Sequence, residues 1–156
     1  MLKKFLILAF ATGFGSGYSP IAPGTAGSAV AFALYYLLTL FSGFTFEVAA
    51  AATSLVILVS FPAAHAAGKI FCNHDDGRIV IDEFAGFFTA ALFFHPADLT
   101  HLVYIFFVFR FFDVAKPFPI GWIDRNVRNG FGCVMDDVLA GVYTALAIII
   151  VERIIL

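Results

Sequence analysis

No charged side chain occurs between Phe5 and Phe46, and the run from Val48 to Gly68 is again uncharged. At 156 residues the chain is about one domain long. A soluble domain of that size must cover most of its surface with polar groups, and this chain has too few. Apolar residues make up 62% of it and charged residues 13%, against about 45–50% and about 25% in ordinary soluble domains. A bilayer removes the requirement, because apolar side chains can face lipid. The competing setting is the buried core of a large assembly. The expectation is one membrane-embedded, all-α domain over residues 1–156, multi-pass, with short or broken helices and its polar loops on one face.

Breaks in the apolar pattern place the helices. Glycine and proline between Gly13 and Gly27 divide the first stretch, giving a helix over about Leu2–Thr12 and a second from about Thr25 to Phe41. Val48–Gly68 has the ~20 residues that a spanning helix needs. Phe84–Phe94 and Leu99–Phe112 are short for a hydrocarbon core of ~30 Å, so they tilt, extend into flanking residues or pack behind longer helices. Val138–Val151 is the last apolar helix. Lys69–Glu83 and Asp113–Asp137 are the polar segments. Lys3, Lys4 and the run Phe5–Ala11, with Ala9 and Ala11, resemble a short signal peptide. A basic anchor before an uncleaved helix is the preferred reading, since the chain stays apolar far downstream. With Lys3 and Lys4 inside, all six Lys and Arg residues from Lys69 to Arg128 fall at the cytoplasmic face of a bacterial inner membrane.

Several classes are excluded or weak. Net charge is −2 and there is no basic patch suited to nucleic acid. Cys72 and Cys133 form no CxxC and read as small apolar residues in a reducing setting. Histidines 65, 74, 95 and 101 have no HExxH spacing; His74 alone could help a headgroup site.

The acids carry the chemistry. Eight of the eleven fall in three clusters: Asp75, Asp76, Asp82 and Glu83; Asp113 and Asp124; Asp136 and Asp137. A carboxylate at the edge of hydrocarbon is expensive and usually has a partner or a task. Several at one depth repel one another unless a cation joins them, and an all-oxygen set suits Mg²⁺. Asp75, Asp76 and Asp124 read better as caps or interface residues. Adjacent acids point in different directions on a helix, so one of Asp82/Glu83 and one of Asp136/Asp137 is expected to face the metal. Arg110, Asp113 and Lys116, spaced i, i+3 and i+6, would share one broad helical face. Arg110 and Lys116 either bind phosphate oxygens or pair with carboxylates and lipid headgroups. Gly24, Thr25, Gly27 and Ser28 lie where a helix should begin, where free N–H groups favour an anion.

Four ordered segments carry a family resemblance. They are ATGFGSGYSPIAPGTAGS from Ala11, IVIDEFAGF from Ile79, FRFFDVAKPFPI from Phe109 and GFGCVMDDVLAGVYTA from Gly130. Together they resemble the phosphatidylglycerophosphatase A family, bacterial enzymes that remove the terminal phosphate of phosphatidylglycerophosphate. The resemblance implies an all-helical membrane enzyme, Mg²⁺ dependence and a phospholipid substrate. It carries catalytic roles to Thr25, Arg110, Asp113 and Lys116, and metal binding to Asp82, Glu83, Asp113, Asp136 and Asp137. The family often has Gly-Gly where this chain has Gly130-Phe131, and another residue at Phe87. A CDP-alcohol phosphotransferase fits poorly, because after Asp76-Gly77 the spacing of its signature fails. A small transporter or channel with a carboxylate-lined path is the alternative from a different class.

Overall fold

A computed structural model describes residues 2–74 and 76–155. Asp75 lies outside the described residues, so its reading as a cap has no structural counterpart. The elements are α1 (Leu2–Ala11), a 3₁₀ segment (Gly13–Tyr18), α2 (Pro23–Thr39), α3 (Phe46–Phe71), α4 (Ile81–Leu92), α5 (Leu99–Ala115), α6 (Ile120–Asn126) and α7 (Gly130–Ile155). No strand occurs among the described residues, as expected for an all-α protein.

Local chemistry explains where the helices begin and end. Ala22 is left-handed and Pro23 follows in the first turn of α2, where proline's fixed φ suits a helix start. The Asp98 carboxylate accepts the His101 N–H at 2.8 Å and caps α5. At the other end of α5 the chain turns left-handed at Lys116, just before two prolines. Asn129 Oδ1 accepts the N–H groups of Phe131 and Gly132 at 2.9 and 3.1 Å, opening α7.

Two elements depart from the sequence reading. The last helix starts at Gly130, about two turns before the expected Val138. Asp136 and Asp137 suggested a polar segment, but they are inward-facing members of the helix itself. Residues Ile120–Asn126 also form a short helix, with Pro119 at its N-cap.

α4 is the central element. Every residue from Ile81 to Ala91 is buried, with α2, α3, α5 and α7 packed around it. Its 12 residues span only ~18 Å at 1.5 Å per residue, so it sits behind longer helices. Phe87 of α4 meets Phe32 of α2 and Phe109 of α5 edge-on at 6.0 and 6.5 Å. Where α4 crosses α7, a Cβ on Gly86 would lie 2.5 Å from the Asp137 carbonyl oxygen, and one on Gly141 would strike the Gly86 carbonyl. Only glycine permits that approach, the small-residue logic of helix pairs in membranes. The crossing fixes the functional geometry: Asp82 and Glu83 lie one turn before Gly86, and Asp137 one turn before Gly141.

The outside is apolar. Leu55, Leu58, Phe107, Phe111 and Ile150 are exposed, far more greasy surface than a soluble monomer carries. The helices over Phe46–Phe71 and Gly130–Ile154 are long and apolar enough to cross a membrane. This is a membrane-associated helical protein.

Candidate active site

The polar residues converge on one cavity of about 220 Å³. Asp76, Asp82, Glu83, Arg110, Asp113, Lys116, Asp136 and Asp137 line it, together with Pro23, Gly24, Gly77, Ile79 and Cys133. Four elements and one loop supply these residues. The first turn of α4 brings Asp82 and Glu83, held in place from two sides. The Ser60 hydroxyl donates to the Ile81 carbonyl at 3.1 Å, and the Val80 N–H donates to the Ala11 carbonyl at 2.9 Å. α7 brings Asp136 and Asp137, the end of α5 brings Arg110, Asp113 and Lys116, and α2 brings Gly24.

Asp82, Glu83 and Asp137 each offer a carboxylate oxygen within 4.8 Å of the other two. They are only 7%, 9% and 5% exposed, so water cannot screen them. Three buried carboxylates this close must take up protons or meet a positive partner, and the local cations are engaged elsewhere. Arg110 Nη1 pairs with Asp113 Oδ2 at 2.5 Å and reaches Glu83 Oε1 only at 3.9 Å. Lys116 Nζ is held by Asp124 Oδ1 at 2.5 Å and Asp136 Oδ2 at 2.7 Å. Glu83 Oε2 is buried with no hydrogen-bond partner, as is Arg110 Nε. An orphaned carboxylate oxygen beside two further acids fits a hard divalent cation, bound directly or through water. The chemistry of the donor set therefore matches the divalent metal expected from the sequence.

The cations complete the site. Burial alone would lower the Lys116 pKa, but hydrogen bonds to Asp124 and Asp136 outweigh it and raise it, so the ammonium stays charged.. An ammonium has three donors, so two bonds leave one for a ligand in the cavity. Arg110 also reaches the Ser28 hydroxyl at 3.4 Å. At the rim, Arg78 grips Asp76 through Nε and Nη2 at 2.7 and 2.8 Å. That bonding holds the Asp76 carboxyl below its usual range.

Gly24 closes the cavity from the α2 side. A Cβ there would touch Glu83 Oε1 and lie 3.1 and 3.2 Å from the two terminal nitrogens of Arg110. The start of α2 thus lies directly against the Glu83–Arg110 pair, with no side chain between.

The metal and catalytic residues expected from the sequence gather here with the exception of Thr25, and with particulars that differ. Both Asp82 and Glu83 face the cluster, not one of the two, because in the first turn their side chains bracket the cavity. Asp136 and Asp137 also both line it, Asp137 in the carboxylate cluster and Asp136 on Lys116. Asp113 lines the cavity on Arg110, outside that cluster. The shared helical face of Arg110, Asp113 and Lys116 does not form, because Lys116 is left-handed beyond the helix end. Thr25 is half-buried in the first turn of α2, and it is the neighbouring Gly24 that lines the cavity. The sequence reading took Asp76 and Asp124 as caps or interface residues, but Asp76 lines the cavity and Asp124 holds Lys116; it read Cys133 as inert. The Cys133 thiol donates to Asp82 Oδ2 at 2.7 Å. The signal for Cys133 was its spacing: it lies one turn before Asp136 and Asp137.

The sequence profile of phosphatidylglycerophosphatase A matches residues 9–152. The phosphatidylglycerophosphatase A of Escherichia coli is 39% identical over 135 residues, covering 86% of this chain and 77% of that protein. The Haemophilus influenzae protein of the same name is 35% identical over 155 residues, 97% and 94% of the two chains. A Bacteroides thetaiotaomicron protein, provisionally named a phosphatidylinositol-3-phosphatase, is 39% identical over 160 residues, 97% of each. No solved structure matches the chain.

Proposed function

This chain belongs to the phosphatidylglycerophosphatase A family, and from that membership we propose how its acidic cavity works. The reaction is hydrolysis of phosphatidylglycerophosphate to phosphatidylglycerol and phosphate, a phosphoric monoester hydrolysis in phospholipid synthesis. The observation that carries the reading is the cluster of Asp82, Glu83 and Asp137 beside Arg110 and Lys116 in one cavity.

In this reading Asp82, Glu83 and Asp137 hold Mg²⁺, with Asp136 and Asp113 at its edge. When bound there, a divalent cation offsets phosphate charge and lowers the pKa of a water. The chain's own residues position the substrate. The cavity that Gly24 and Arg110 both line admits the phosphoryl group against Arg110. Arg110 has donors to spare after Asp113 and Ser28, and Lys116 keeps one N–H for a phosphate oxygen. Asp113 fixes the Arg110 fork, and Asp124 and Asp136 fix the Lys116 ammonium. Thr25 follows Gly24 in the first turn of α2, so its role in this reading is to hold that turn against the bound phosphate. Overall, the oxygen of a water joins phosphorus, the P–O bond to glycerol breaks, and the glycerol oxygen leaves with a proton. Most of the rate acceleration comes from position and fixed charge.

The same reading makes the protein multi-pass in the bacterial inner membrane, with the cavity at the cytoplasmic face. The distribution of Lys and Arg supports it. The test is phosphate release by purified protein in uncharged detergent. Release from phosphatidylglycerophosphate is expected to stop with a chelator and return with excess Mg²⁺. Turnover that persists in the chelator would remove the metal from the account.

A further inference from the structure

A second cavity, of about 170 Å³, lies on the far side of the first turn of α7. It has no lining residue in common with the acidic one. Its wall comes from the end of α3 (Ala64, His65, Gly68, Lys69), the loop residues Cys72, Asn73 and His74, and Arg128, Asn129 and Gly130. The space is more than ten times the roughly 10–15 Å³ that one water requires.

Its chemistry is the inverse of the acidic cavity. Lys69 and Arg128 carry permanent positive charge, and the imidazoles of His65 and His74 each have an N–H to donate in either protonation state. No Asp or Glu lines it among the described residues. Arg128 spends its Nε–H on the Arg125 carbonyl at 3.2 Å, which directs the guanidinium and leaves its terminal nitrogens. The start of α7 adds no free donors through Phe131 and Gly132, because Asn129 already accepts those N–H groups. The site therefore rests on side chains. The floor is rigid: a Cβ on Gly130 would strike the His65 backbone, so α3 and α7 are in direct contact there.

Position selects the occupant. The cavity sits where two helices long enough to cross a membrane, α3 and α7, meet at their ends. With α3 and α7 spanning the membrane as proposed above, lipid headgroups lie at that depth. Cationic forks and ammonium groups without a carboxylate partner favour phosphate oxygens. We infer that this cavity binds a phosphate group separate from the reacting one, carried by an anionic phospholipid of the surrounding membrane. The two cavities share elements. The loop lines one with Cys72–His74 and the other with Asp76–Ile79, and α7 lines one with Gly130 and the other with Cys133, Asp136 and Asp137.

Cys72 is an exposed free thiol in the wall, so occupancy can be read without activity. The measurement is the alkylation rate of Cys72 by N-ethylmaleimide, followed by peptide mass spectrometry, in uncharged detergent without substrate. Added phosphatidylglycerol should slow it about fourfold at three times the dissociation constant, because the free fraction falls as 1 + [L]/Kd. Phosphatidylcholine should not slow it. Lys69→Glu/Arg128→Glu, and the milder Arg128→Gln should the double variant misfold, should lose the protection. Protection by inorganic phosphate but not by phosphatidylglycerol would keep the phosphate site and move its source to solution. Equal rates with every additive, equal protection by phosphatidylcholine, or protection that survives the charge changes would each overturn the assignment. The result is independent of the phosphatase reading, which concerns the other cavity.

Discussion

Two cavities flank the first turns of α7, and they solve opposite electrostatic problems. The acidic one is walled by six carboxylates with Arg110 and Lys116, and four of its acids are at most 9% exposed. The basic one is walled by Lys69, Arg128 and two histidines that are all exposed. Buried like charges cannot rely on water, so the acidic cavity is stabilised when protons or a cation join its acids. Exposed cations are already stable in water, so the basic cavity gains only when an anion arrives. In the proposed reading the first cavity holds the reacting phosphate and the second a phosphate that does not react.

The sharpest way to break that contrast is at Asp137. Asp137→Asn removes one of the three clustered carboxylates and should lower kcat for phosphate release by roughly 10²–10³-fold, the usual scale for losing a fixed electrostatic group. Detergent-solubilised protein should stay folded, by circular dichroism and gel filtration. Asp113→Asn should likewise remove most activity, because it frees the Arg110 fork. Near-normal turnover in either would contradict its role.

Gly24→Ala probes the close approach at the mouth. The added methyl meets the far ends of the Glu83 and Arg110 side chains and no backbone, so stability should change little. Turnover should fall about 10–10²-fold, since a displacement near 1 Å is costly in a positioned site. A variant with full activity would show that the phosphate enters elsewhere.

Asp124→Asn is the next smaller effect. Asp124 does not line the cavity, but it holds the Lys116 ammonium from behind. Its loss should reduce kcat by about tenfold, in line with one weakened charge-assisted bond of ~1.5 kcal/mol, and Asp124→Glu should recover part of it. An unchanged rate would mean that Asp136 positions Lys116 alone.

The rim should matter least. Asp76→Asn breaks the bond to Arg78 and should cost at most about 1 kcal/mol of stability, as exposed pairs do. The folded Asp76 has a lowered pKa, so its contribution is present above the ordinary carboxylate range near 3.9 and is lost as pH falls below it. Thermal melts of the two proteins should therefore converge at acid pH. A gap that persists there would assign the effect to something other than the ion pair.

Much of this was legible in the sequence because charges are so scarce in it. In a chain this apolar, Asp82, Glu83, Asp113, Asp136 and Asp137 stand out as residues that must be satisfied, and they do gather. What the sequence concealed depends on three-dimensional crossing. Alternation of direction along a helix suggested that one of Asp82 and Glu83 would turn away. A cavity wrapped around a first turn takes both. Lys116 looked like a helical neighbour of Asp113, but the left-handed turn before Pro117 sends it to Asp124 and Asp136. The start of α7 was hidden because its own acids looked like loop. Gly86 and Gly141 gave no sign that they set the distance between the two acidic pairs.

The central claim is that Asp82, Glu83 and Asp137 form one divalent-cation site. Titrating purified protein with Mn²⁺ and following free ion by electron paramagnetic resonance tests it without substrate. The account predicts saturable binding that Mg²⁺ displaces and that Asp137→Asn strongly weakens. Binding of equal strength in the variant, or none in the unaltered protein, would contradict it.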